Sequence, residues 1–81
     1  MRIRFTQHFL RSYRKAPPRI QQAFEKQSLL LKQDLRHPSL RAKKYDERDN
    51  KWQARVNQDW RFYFQIDHDT YIITDLIPHP K

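Results

Sequence analysis

Not one glycine occurs among the 81 residues of this sequence, although ordinary usage of about 7% would supply about five or six. Glycine alone enters the left-handed backbone region without penalty, so turns that need positive φ must be made by Asn or Asp, the next most tolerant residues. Three clusters meet that demand: Asp46-Glu47-Arg48-Asp49-Asn50, Asn57-Gln58-Asp59 and Asp67-His68-Asp69. They cut the C-terminal half into strand-length pieces and account for most of its acidic residues as turn chemistry rather than catalysis.

Between those turns, residues 51–56 and 60–67 alternate apolar and polar, while 70–77 is β-branched and nearly continuous in hydrophobicity, as expected of a central strand. Residues 41–45 form a weaker strand. Upstream, residues 2–5 alternate basic and apolar, and Thr6 is placed to cap a helix carrying Phe9, Leu10 and Tyr13. Ala16-Pro17-Pro18 stops that helix, since the residue before a proline leaves the α region, and Pro18 can open the next. From 19 to about 35, Ile20, Ala23, Phe24, Leu31 and Leu35 follow helical spacing, Leu30 widens the stripe, and His37-Pro38 ends it. The expected fold class is therefore α+β, in the order β-α-α-β-β-β(-β), with a helical hairpin on one face of a small, twisted, antiparallel-rich sheet. Residues 1–81 are expected to form a single domain.

Five Phe, four Tyr and two Trp set this chain apart from disordered sequences, despite 32% charged residues. The absence of Cys excludes disulfides, thiolate metal sites and a Cys nucleophile within these residues. Four scattered histidines do not make a metal site, and no cofactor is expected. No apolar run reaches signal-peptide or membrane-span length, and the expected location is cytoplasmic. The net charge of +8 is uneven: residues 1–44 hold 12 Lys/Arg against 2 acids (+10), and 45–81 hold 5 against 7 (−2). Such a surplus fits nucleic acid or an acidic protein as partner, or simply a solvated basic helical half.

Alternation puts Trp52, Ala54, Val56, Trp60, Phe62, Phe64 and Ile66 on one sheet face and Gln53, Arg55, Asn57, Arg61, Tyr63 and Gln65 on the other. With 57–59 as a three-residue hairpin loop, Val56 meets Trp60, Arg55 falls opposite Arg61, and Gln53 opposite Tyr63. Two arginines across a rung repel, by a few tenths to about 1 kcal/mol. A bound anion relieves the repulsion, and guanidinium forks, the Tyr63 ring and hydroxyl, and the Gln53 amide suit a phosphodiester with its base. The alternative is an ordinary solvated outer face.

The run HPSLRAKKYDERDNKWQARVNQDWRFYFQIDHDTYIITDLIPHP resembles the RelE/ParE superfamily of toxins from bacterial toxin–antitoxin modules. His37-Pro38, Lys43-Lys44-Tyr45, Trp52-Gln53-Ala54-Arg55-Val56 and Trp60-Arg61-Phe62 appear in the family's order, and the upstream strand and helices extend the likeness over essentially the whole chain. The resemblance implies a metal-independent endoribonuclease that cleaves messenger RNA, often on the ribosome, and is silenced by a cognate antitoxin. Gyrase inhibition of the ParE kind, or RNA binding without cleavage, are the alternatives it carries. It further implies that Arg61 is the phosphate-binding arginine, that Arg55 is a second cation, and that Lys43 or Lys44 adds charge to RNA alongside Gln53 and Tyr63. His79 lies just after the last strand, where many members place a histidine or basic residue, and is the candidate acid or base. His8, His37 and His68 are read as helix, helix-end and turn residues.

Overall fold

The computed structural model describes residues 1–79. Strand β1 (Arg2–Phe5) leads into helix α1 (Gln7–Lys15), then α2 (Pro18–Gln33), a one-turn 3-10 helix (Pro38–Leu40), and strands β2 (Lys43–Asp46), β3 (Lys51–Arg55), β4 (Trp60–Asp67) and β5 (Thr70–Pro78). The five strands form one sheet in the order β1-β5-β4-β3-β2. The last four make the expected antiparallel meander, and β1 joins its far edge parallel to β5.

Local chemistry sets the helix boundaries. The Phe9 amide donates to Thr6 Oγ1 at 3.1 Å, and the same hydroxyl faces the Ile73 and Thr74 carbonyls at 3.3 and 3.4 Å. One side chain thus caps α1 and ties its start to β5. Ala16 leaves the helical region at ψ 147°, and Pro18 supplies the first helical residue of α2, where its missing N–H is no loss.

Positive φ occurs at Arg41, Asn50 and His68. Asn50 meets the expectation drawn from the missing glycines. In the 67–69 turn the histidine takes the left-handed position, flanked by two aspartates, and Asp67 Oδ1 lies 2.7 Å from its Nδ1. The 57–59 turn avoids positive φ altogether, because Asn57 Oδ1 accepts from the Asp59 and Trp60 amides at 2.8 and 2.9 Å and replaces a backbone turn with a side-chain one.

The helices cover one sheet face. Phe9, Phe24, Phe62, Phe64 and Tyr71 form a chain of ring contacts, with successive centroids 4.9, 5.2, 5.8 and 5.5 Å apart, running from α1 through α2 into β4 and β5. On α2 the buried positions are Ile20, Phe24, Gln27 and Leu31, so a polar residue sits inside an apolar stripe. Gln27 earns no penalty there: its Nε2 donates to the Arg55 carbonyl at 2.8 Å and the Ser39 carbonyl at 3.2 Å, and its Oε1 accepts from Ser39 Oγ at 3.2 Å. It clamps α2 to the 3-10 helix and to the end of β3. Among the described residues no helix is long and apolar enough to cross a membrane.

Replacing Gln27 by Leu keeps the volume but strands those acceptors. The expected loss is about 2 kcal/mol, which at this chain length lowers the melting temperature by roughly 8 to 16 °C. A calorimetric scan measures it, and an unchanged melting temperature would contradict the clamp. A second prediction concerns alkali. Burial, then the Asp34 charge, raises the Tyr71 phenol above its ordinary value, and burial with the Glu25 hydrogen bond raises that of Tyr13. A phenol ionising near pH 10 in the unfolded chain but higher in the folded one contributes stability that is full below about pH 10 and falls as pH rises above it. Tyr71→Phe should flatten that alkaline decline in a series of melting temperatures from pH 8 to 11.

Candidate functional site

Helices leave the other sheet face open, and the hairpin register decides what stands on it. Arg55 pairs with Arg61, Gln53 with Tyr63, and Lys43 with Gln53. The Val56 amide donates to the Trp60 carbonyl at 3.0 Å, which closes the hairpin where the alternation places it.

At the loop end of this face is a cleft of about 320 Å³ lined by Arg41, Lys43, Gln53, Ala54, Arg55, Arg61 and His79. Arg61 is held there by the turn it follows: one guanidinium nitrogen, Nη1, donates to the Asn57 and Trp60 carbonyls at 2.8 and 2.9 Å, with Gln58 O at 3.4 Å. That anchors one arm of the fork and spares the other N–H groups. Burial first, then the like charge of Arg55 and more weakly of Arg41, lowers its pKa, against the partial counter-effect of Tyr63 and Asp59. Electropositive crowding of this kind is relieved by an anion.

Arg55 points to the same conclusion independently. Its Nε is buried and has no hydrogen-bond partner among the described residues. A buried donor left unmade costs about 1–3 kcal/mol, and such orphans in folded proteins call for a ligand or water. A phosphate oxygen is an acceptor of the right charge. Beside it, Gln53 Nε2 donates to the Tyr63 hydroxyl at 2.9 Å, which leaves the phenolic proton free to donate onward.

The His79 amide donates to the Asp59 carbonyl at 2.7 Å, so the residue after β5 is pinned to the β3–β4 loop and its exposed side chain borders the Arg61 cleft. Of the residues singled out from the sequence, Arg55, Arg61, Lys43, Gln53 and His79 line this cleft, and Tyr63 adjoins it through Gln53. Lys44 does not. It stands opposite Trp52, on the helix-bearing side of the sheet, and its Nζ lies 3.4 Å from Glu47 Oε2; a side-chain period of two sends neighbouring lysines to opposite faces.

Arg41 was not anticipated. It follows the 3-10 helix in a left-handed conformation, φ 46° and ψ 43°, its amide donating to the Pro38 carbonyl at 3.3 Å. For a non-glycine residue this strains the backbone by roughly 1–2 kcal/mol, a cost met where the chain must turn sharply to deliver a third guanidinium. Alternation along an extended segment could not have placed it, because the left-handed turn lies ahead of the first residue of β2.

No family model and no curated protein matches the sequence. Solved structures do match the fold. A chain of the toxin–antitoxin complex RelBE2 from Mycobacterium tuberculosis is 26% identical, with a TM-score of 0.78 over 96% of both chains. The YoeB/ParE toxin from Agrobacterium tumefaciens superposes with a TM-score of 0.81 at 12% identity, covering 99% of this chain and 100% of that one. The RelB-RelE antitoxin–toxin complex from Methanococcus jannaschii gives 0.77 at 17% identity over 93% and 88%. A helical hairpin on a five-stranded sheet is thus an architecture this chain shares with toxins solved from toxin–antitoxin complexes. The chain therefore has a RelE-like fold.

Arg55→Met separates affinity from stability. Removing one of two opposed guanidiniums should leave the melting temperature unchanged or raise stability by up to about 0.5 kcal/mol. Binding of a short single-stranded RNA should weaken, and the slope of log affinity against log salt should fall by about 1. Anisotropy titrations at several salt concentrations measure both, and unchanged affinity would remove Arg55 from the anion site.

Proposed function

We propose that the protein is the toxin of a type II toxin–antitoxin pair and acts as a metal-independent endoribonuclease on messenger RNA engaged with the ribosome in the cytoplasm. The observation that carries the reading is the convergence of Arg41, Arg55, Arg61 and His79 on one cleft, with the buried Arg55 Nε lacking an acceptor. Several structures of the same fold were solved as toxin–antitoxin complexes, which supports an antitoxin as partner. On the helix side, a groove of about 500 Å³ is bordered by Phe5 and Leu29, 46% and 61% exposed, apolar surface that a partner segment would cover.

In the proposed reaction the ribose 2′-oxygen attacks the adjacent phosphorus as its proton passes to solvent water. The P–O5′ bond then breaks and the leaving oxygen takes a proton, giving a 2′,3′-cyclic phosphate and a 5′-hydroxyl. Arg55 and Arg61 hold the non-bridging oxygens, whose charge grows in the phosphorane, and Arg41 and Lys43 strengthen the field at the cleft. His79 supplies the proton to the 5′-oxygen. Its imidazole is, of the side-chain types lining this cleft, the one most often used as a general acid or base.

His79→Gln is the informative variant, because Arg61→Ala would also release the 57–59 loop. It should retain RNA affinity while slowing cleavage by about 10² to 10⁴-fold. Primer extension on messenger RNA from cells expressing the wild-type protein reads the products. New 5′ ends absent alongside a DNA-damage response would replace this reading with gyrase inhibition, and their absence alone with RNA binding only.

A further inference from the structure

Next to the arginine cleft the open sheet face carries a second hollow, of about 260 Å³, lined by Tyr45, Lys51, Tyr63, Asp75 and Ile77. Tyr45 is 62% exposed and stands edge-to-face with Tyr63, ring centroids 5.6 Å apart and planes at 81°. The contact holds Tyr45 upright as one wall and leaves much of its ring in solvent. Ile77, opposite Arg61 on the neighbouring strand, extends the apolar lining towards the cleft.

The other end of the hollow is polar and rigid. Asp75 lies across from Tyr63 on β5, and its carboxylate is fixed from three sides: His8 Nε2 of α1 at 3.0 Å on Oδ1, and Thr74 Oγ1 at 2.8 Å and Lys51 Nζ of β3 at 3.5 Å on Oδ2. His8, expected only as a helix residue, is thus part of a buttress reaching over the sheet. A carboxylate offers about four acceptor positions and an ammonium three donors. One acceptor therefore remains beside two spare donors, the pattern that complements the edge of a nucleobase, where an N–H or amino group neighbours a carbonyl or ring nitrogen.

The two hollows lie on the same sheet face, lined by neighbouring positions of β3 and β4. Arg61 and Tyr63 project from the same face of β4, two residues and so roughly 6.6 Å apart. The partition between them is the hydrogen-bonded pair Gln53 and Tyr63. A chain leaving the arginine cleft reaches the hollow within one nucleotide.

We infer that this hollow is a nucleobase subsite: the base neighbouring the phosphate held by Arg55 and Arg61 stacks on Tyr45, and its polar edge bonds to Lys51 and Asp75. The inference rests on the RNA reading of the cleft. An acidic peptide, the other partner the charge allows, carries no purine or pyrimidine edge to meet Lys51 and Asp75.

The test is an anisotropy titration of the full chain with a labelled RNA pentamer and with an abasic pentamer of the same length. Wild type should bind the base-bearing strand about tenfold more tightly, as expected for one stacked base. Tyr45→Ala should bind both at the abasic level with an unchanged salt slope, while Tyr45→Trp restores the preference. Lys51→Met should flatten the ranking of A, C, G and U pentamers. A Tyr45→Ala protein of native circular dichroism that keeps the full preference overturns the subsite, as does a wild type that binds both strands equally, and a ranking unchanged in Lys51→Met overturns the edge contact. Wild type binding neither strand overturns the RNA reading of the cleft itself.

Discussion

Apolar burial holds the β3–β4 hairpin in a register that its own charges oppose. Sinking Ala54, Phe62 and Phe64 into the helix-covered face sends Arg55 and Arg61 to the other, directly across a rung. Fully burying one Phe contributes about 1.5–3 kcal/mol, whereas an opposed like-charge pair costs at most about 1 kcal/mol. The core wins, and the arginines stand together because of it. Gln27 then fixes the backbone of Arg55, and Arg61 fixes its own loop through Asn57 and Trp60.

The open face consequently gathers positive charge on backbone positions that the fold itself holds in place. Three features agree on this: a guanidinium nitrogen buried without an acceptor, a third arginine delivered by a strained left-handed residue, and the lowered pKa of Arg61 among its like-charged neighbours. The orphan donor and the crowded charge are unfavourable in the free protein and are relieved by an anion, while the backbone strain at Arg41 brings a further positive charge to the same place. Pre-organisation of this sort reduces what must be reordered when the ligand arrives.

Much of this was legible in advance because it is local. The Thr6 cap, the Ala16-Pro17-Pro18 break and the Arg55–Arg61 rung depend on residues only a few positions apart, and period-2 alternation carries the rung without tertiary information. What escaped depends on distant partners. Arg41 joins the site through a turn whose strain no local preference favours. Lys44 seemed interchangeable with Lys43 until pairing with β3 assigned each to its face. The acceptors of Gln27 lie 12 and 28 residues away, and nothing in the α2 stripe distinguishes it from a misplaced polar residue.

The sequence by itself therefore determined the α+β class, the element order and the charged face of the central hairpin, since propensity, capping and side-chain periodicity act within a few residues. The tertiary structure decided which charges meet. Placing β1 parallel to β5 brings α1 over the end of the sheet, so that His8 reaches Asp75 across 67 positions of chain, and pinning His79 to Asp59 closes the cleft around Arg61. Those contacts come from the packing of whole elements, whose relative positions no short window of sequence encodes.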